Sequence, residues 1–296
     1  MTGPLLAAAA GFGFGVFQTL NRRAVGTMSD AYLATFLQLI VAMAVLLAAS
    51  VTTADLAALG GATTASLIWF SAAGLVHFFV GWTLLNMSQM RIGAARTSPL
   101  LSTNPVFGAA LATAWLREVP RLLAWLGIAL VVAGALTVSL ERVGASGWTV
   151  GWRDAAPGLL TALAWSITPI FIREGLDGLE SPLLGLTLGM GVALVCYAAV
   201  APFRPRREGE SGFGSRQALA FKLLAGVMVG LSVWARWESL ESTAVAVVLA
   251  LGLLSVPVVL LLSPVLVGRH LERVTLRLWS GAALVVLGGL LLVLAG

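Results

Sequence analysis

Charged side chains are scarce in this chain of 296 residues. Asp, Glu, Lys and Arg together make up 10% of the sequence, whereas a soluble domain carries about 25%. So few charges cannot cover a water-facing surface, and 59% of the residues are apolar. The mean hydropathy is +0.96, and the apolar residues run continuously instead of alternating. This composition predicts an all-α membrane protein and excludes a water-soluble domain and a β-barrel.

Thiols, metal ligands and catalytic motifs are also rare. Cys196 is the single cysteine, so no intramolecular disulfide forms, and two histidines, His77 and His270, are too few for a typical zinc site. The sequence has no G-x-x-x-x-G-K-[S/T] loop, G-x-S-x-G elbow or H-E-x-x-H sequence. We therefore expect no enzyme activity, no metal and no cofactor. Two alternatives stay open: an intramembrane lipid-modifying enzyme, and a non-transporting membrane scaffold or sensor.

The excess of basic residues does not indicate nucleic acid. The net charge is +5, with Lys222 as the single lysine among arginines. Most of these residues lie between apolar runs, where they set topology or meet lipid headgroups. We expect a small-molecule substrate and the lipid bilayer as partners and no nucleic acid, and the sequence is compatible with a monomer.

Ten apolar runs are long enough to cross the hydrocarbon core, which needs roughly 20 residues. They span residues 4–21, 32–50, 64–87, 93–116, 121–140, 156–173, 182–202, 218–237, 243–267 and 275–295. The first run follows no basic segment and carries no convincing cleavage site, so we do not interpret it as a signal peptide. We expect a multi-pass protein of a bacterial or archaeal plasma membrane.

The two halves of the sequence repeat each other. Matching residues, at a spacing of 152 and then 154, are Trp82 with Trp234, Pro105 with Pro257, Gly127 with Gly281, and Gly134 with Gly288. We place the first five-helix repeat at residues 1–143, a linker at 144–155 and the second repeat at 156–296. Because five is odd, the second repeat enters the membrane from the opposite side, which predicts ten helices in two inverted repeats.

Charges near the ends of the runs predict the orientation. The loops after runs 1, 3, 5, 7 and 9, with their flanking turns, hold 14 of the 18 basic residues, Lys222 among them. The positive-inside rule places these loops in the cytoplasm and both termini outside. Arg236, Glu238 and Glu241 are interpreted as an interfacial cluster. No carboxylate lies deep in a run, which favours a facilitator or leaves His77 as the titrating group at mid-membrane.

One segment carries a family resemblance. Residues 91–120, RIGAARTSPLLSTNPVFGAALATAWLREVP, resemble the helix-4 signature of the EamA-like family in the drug/metabolite transporter superfamily, and GIALVVAGALTV at 127–138 resembles its helix 5. The second copy keeps Pro257 and Glu272 but has VGRHLERV where the family usually has a shorter Gly-Glu end. The resemblance implies a ten-helix secondary transporter of small metabolites, often amino acids or related solutes. It also implies a central cavity lined by helices 1, 3, 4, 6, 8 and 9, and cytoplasmic termini, against the arginine count.

Seven side chains are candidates to line the substrate cavity. His77 is ionisable at bilayer depth, although a neutral histidine bonded to a neighbouring helix is the alternative. Arg96 can bind a carboxylate or extend to the lipid headgroups. Three tryptophans, Trp82, Trp165 and Trp234, can stack on an organic solute or anchor at the interface. The last two candidates, Asn104 and Thr168, lie beside helix breaks.

Three prolines, Pro105, Pro169 and Pro257, interrupt the hydrogen bonding of their helices. In lipid, the freed carbonyls need partners, so such breaks survive where they face protein or a wet cavity. The polar segment Ser102–Asn104 precedes Pro105, whereas Pro257 has Ser255 and aliphatic neighbours. This difference predicts an asymmetric site weighted toward the fourth helix, with Pro257 as a hinge or packing kink.

Overall fold

The computed structural model describes most of the chain, and its helices follow the apolar runs. The described residues are 2–26, 28, 30–53, 56–104, 106–108, 110–111, 122–139, 142–143, 148–149, 151–203, 215–243, 248, 251–268 and 273–295. Their helices are α1 (Thr2–Val25), α2 (Ala31–Thr53), α3 (Thr64–Ile92), α4 (Ala94–Leu101), α5 (Leu122–Ser139), α6 (Trp152–Leu176), α7 (Pro182–Val200), α8 (Arg216–Ser242), α9 (Ser255–Ser263) and α10 (Leu276–Ala295). Short 3-10 turns at Leu56–Gly61 and Ala201–Phe203 follow α2 and α7.

Within the described residues, six helices are long and apolar enough to cross a membrane: α1, α2, α3, α6, α7 and α8. The segments at Leu122–Val138, Ser255–Gly268 and Leu276–Leu291 are shorter apolar helices. The chain is therefore a multi-pass helical membrane protein, as the composition predicts. The count of ten spanning helices stays a prediction.

Local signals set several helix ends. Thr63 and Ser181 accept hydrogen bonds from the backbone N–H groups three residues on, which caps α3 and α7. Ser215 caps α8 in the same way. Between α3 and α4, Gly93 has φ 82°, a left-handed value that favours glycine. This residue lets the chain change direction without a longer loop.

The predicted linker contains ordered structure. Arg142–Val143 pairs antiparallel with Trp148–Thr149, and α6 begins at Trp152, four residues before the predicted start of the second repeat.

The first and second halves meet through matched helix pairs. α1 packs on α8 as α6 packs on α3, and α2 packs on α8 as α7 packs on α3. α5 packs on α10, α2 on α7 and α4 on α9.

The α5–α10 contact brings repeat-related glycines together. A Cβ atom added to Gly134 would lie 2.6 Å from the carbonyl oxygen of Gly281, and one added to Gly288 would lie 2.6 Å from that of Gly127. These two contacts exchange the repeat-related glycines, as an isologous two-fold contact requires. Glycine is needed at these crossings because no side chain fits between the backbones.

Candidate functional site

The centre of α3 departs from α-helical geometry. Residues Leu75–Gly81 form a π-helical segment, a feature that is frequent at functional sites. His77 lies in this segment and is 4% exposed. Small neighbours surround it, as the sequence predicts: Gly74 contacts the backbone of Gly189 in α7, and Gly81 faces Trp165. Close packing on both sides therefore fixes the position of the imidazole.

Trp165 of α6 lies directly against His77. The two rings are stacked, with centroids 5.2 Å apart and planes 17° apart. The indole Nε1 donates a hydrogen bond to the backbone oxygen of His77 at 3.3 Å. Phe14 of α1 contacts the indole edge-on, at 5.2 Å between centroids. The structure thus brings two predicted site residues together with an aromatic residue that the sequence reasoning did not single out.

These side chains line a cavity between α1, α3, α6 and α8. Its volume is about 30 Å³, room for one or two water molecules and far below the roughly 300 Å³ of a small-molecule site. The described residues that line it are Ala7, Ala10, Gly11, Phe14, His77, Trp165, Ser232, Val233, Arg236, Val248 and Gly252. An organic solute would fit only after the surrounding helices separate.

Arg236 supplies the cation that lines this cavity. The sequence instead predicts an interfacial position for this residue. Its side chain is partly buried beside His77 and makes no ion pair or side-chain hydrogen bond with a described residue. Glu238, its predicted neighbour in an interfacial cluster, instead accepts a hydrogen bond from Trp234 Nε1 at 3.2 Å. A guanidinium with unused donors in a partly buried cavity is suited to bind a carboxylate.

The other predicted cavity residues lie outside the lining of this space. Trp82 is fully buried in the apolar core, edge-on to Phe78 at 4.9 Å between centroids. Arg96 is 2% exposed, so its guanidinium does not extend to the headgroups. Thr168 is buried on α6 and donates to the backbone oxygen of Ala164 at 2.9 Å.

The predicted helix breaks have different outcomes. Pro169 lies inside α6, which continues to Leu176. Pro257 lies in the first turn of α9, where proline is tolerated because its missing N–H would have no helical partner. Asn104 is partly buried after α4, and Pro105 lies outside the described residues.

Lys222 is a polar residue whose position the sequence reasoning missed. The positive-inside count places it with the basic residues of the loops, but it is the seventh residue of α8 and is 0% exposed. Its burial removes it from the positive-inside count. Apolar neighbours on both sides, in the segment LAFKLLAG, are the signal that would have placed it inside a helix.

Comparison with known proteins gives a family match and a fold. Residues 1–140 match the model of the EamA-like transporter family. No curated protein matches the chain. A solved structure entitled "Crystal structure of protein" is 18% identical, has a TM-score of 0.64, and is aligned over 98% of this chain and 95% of its own. At this identity the likeness concerns the fold alone, and it extends through both halves.

Proposed function

Because residues 1–140 belong to the EamA-like transporter family, we propose that the whole chain is a secondary transporter of small organic metabolites, such as amino acids or related solutes. We place it in a bacterial or archaeal plasma membrane. The observation that carries the proposal is the cavity where α1 and α3 meet α6 and α8. Two halves that surround one central site can expose it to each side of a membrane in turn, which is alternating access.

We further propose that ten helices span the membrane as two inverted repeats. The symmetric contacts between halves support this arrangement, since α1 meets α8 as α6 meets α3. The exchange of repeat-related glycines between α5 and α10 points the same way. Rocking one half against the other about this pseudo-two-fold axis would then open the cavity at alternate ends.

The cavity lining indicates the chemistry of the solute. Arg236 offers planar donors that match a carboxylate. Phe14 and Trp165 present aromatic surfaces, which pack on a flat or apolar group. A small organic solute with one carboxylate and an apolar or aromatic part fits this combination best.

Counterflow in reconstituted vesicles tests the proposal. We expect Arg236→Gln to lower exchange of the preferred carboxylate by about tenfold or more, because a hydrogen bond to a charged group contributes about 1.5–3 kcal/mol. Arg173→Gln is the matched control, since Arg173 is exposed in the last turn of α6, and its exchange should equal that of the wild type. If no amino acid or organic acid exchanges through the wild type, the transporter proposal is wrong and a scaffold or sensor becomes the better interpretation.

A further inference from the structure

The ammonium of Lys222 is enclosed by neutral amides. Its Nζ donates to Gln38 Oε1 at 2.8 Å and to Asn86 Oδ1 at 3.2 Å, and it also donates to Asn21 Oδ1. These partners belong to α1, α2 and α3, so the lysine lies inside the helix bundle. No described carboxylate pairs with it. As an ammonium, this group would be hydrogen-bonded to neutral oxygens and not neutralised by a carboxylate, a costly state for a buried ion.

The lysine also fixes the direction of the amides around it. An ammonium only donates, so Asn21 and Gln38 must turn their oxygens toward it. The amide nitrogen of Asn21 then donates to Gln89 Oε1 at 2.7 Å. These amide orientations leave two buried nitrogens, Gln38 Nε2 and Gln89 Nε2, with no acceptor among the described residues. The network thus combines one cation with two unused N–H donors, a set that matches an anion.

This network lies along the same contact between α1 and α8 as the central cavity, and we call the line that joins them the α1–α8 groove. Lys222 and Arg236 are fourteen residues apart on α8, nearly four turns, so they share one face of the helix and are separated by about 21 Å along it. The facing stripe of α1 carries Gly11 and Phe14 at the cavity and Asn21 at Lys222. The α1–α8 groove therefore has a cation at each end.

We propose that Lys222, with Gln38 and Gln89, forms a second anion-binding station, which receives the carboxylate of the carried solute when this end of the groove opens. The proposal rests on the transporter function proposed above. In the closed state, the ammonium donates its hydrogen bonds to the surrounding amide oxygens. A carboxylate that displaced them would neutralise the lysine and accept from the two unused amide donors. The solute would thus find a cationic partner near each end of its path.

The single lysine makes this station directly measurable. An amine-acetylating ester has one side-chain target in the chain, Lys222, which peptide mass spectrometry separates from the N-terminal amine. We would measure its acetylation in phosphatidylcholine vesicles with sodium benzoate as the probe. Neutral benzamide and sodium chloride at equal ionic strength are the controls. At a benzoate concentration about twice its Kd, occupancy slows acetylation by about threefold, and the controls leave the rate unchanged.

Equal rates with benzoate and benzamide would overturn the station. A second set of vesicles contains phosphatidylglycerol, which offers a lipid phosphate in place of a solute carboxylate. Protection by this lipid without protection by benzoate would identify a headgroup site and also overturn the proposal. Protection by benzoate in both lipids supports it.

Exchange by Lys222→Met separates this inference from the proposed function. Methionine replaces the ammonium with an apolar group of similar length, and elution as the wild type on size exclusion verifies folding. We expect lower benzoate exchange, with Arg173→Gln as the unaffected control. If Arg236→Gln loses exchange while Lys222→Met keeps it in full, the transporter stands and the station is wrong. If Lys222→Met does not fold, acetylation of the wild-type protein decides.

Discussion

At the scale of single residues, the sequence showed which polar and aromatic residues lie within apolar runs, but it did not show which way the cations of α8 face. His77 and Trp165 stand out in long apolar runs, and they stack in the structure. Arg236 and Lys222 lie within two turns of the ends of α8, where a cation can equally reach the lipid headgroups. The packing of α8 against its neighbouring helices, with α1, α2 and α3 around Lys222, directs them inward, and the sequence of one helix does not encode its partners.

The contact between Gly81 and Trp165 gives a residue-scale prediction. A Cβ atom at Gly81 would lie 2.5 Å from the indole Nε1, so Gly81→Ala must displace the ring and weaken its hydrogen bond to His77. We expect a loss of about 1–3 kcal/mol, the usual cost of overpacking, as a lower Tm in detergent and a raised KM for exchange. Gly60→Ala has open space around it and should leave both unchanged. An unaltered KM in Gly81→Ala would mean that the indole does not shape the site.

At the scale of helices, the apolar runs predicted the positions well and the internal geometry poorly. α3 was expected at 64–87 and extends over Thr64–Ile92, because buried polar residues such as Asn86 and Gln89 continue it beyond the apolar run. The π-helical segment Leu75–Gly81 has no sequence signal of its own. It depends on how Trp165 and α7 pack against α3, so it was not predictable from the run itself.

The α5–α10 crossing gives an element-scale prediction. Gly134→Ala and Gly288→Ala each place a methyl group against backbone of the other helix, and the two sites would be equivalent under the two-fold arrangement that we propose. We expect both to lower the free energy of unfolding by about 1–3 kcal/mol, measured as matched decreases of Tm in detergent. Gly108→Ala meets no atom of the described residues within 4 Å and should be neutral or slightly stabilising. A large loss at one glycine with none at the other would contradict the symmetric crossing.

At the scale of the whole molecule, the sequence predicts both a repeat and an asymmetric site, and both stay predictions. The sequence weighted the polar groups toward the fourth helix, where Pro105 lies outside the described residues. The cations in the groove instead lie on α8, in the second half, with no basic residue at the matching positions Phe70 and Leu84 of α3. Duplication thus accounts for the repeated scaffold, whereas the cations that we propose to bind the solute occur in the second half alone at these positions.

Orientation is the whole-molecule property that is best tested directly. Burial of Lys222 and Arg96 lowers the arginine and lysine count of the loops assigned to the cytoplasm from 14 to 12, so the prediction that both termini face outward stands, against the family expectation. In a Cys196→Ala background, Gly60→Cys should react with an impermeant maleimide in intact cells, because the positive-inside rule puts the turn after α2 outside. Gln217→Cys, exposed at the start of α8, should react only after permeabilisation. Reaction of Gln217→Cys alone in intact cells would reverse the topology and move the Lys222 end of the α1–α8 groove to the outer side of the membrane.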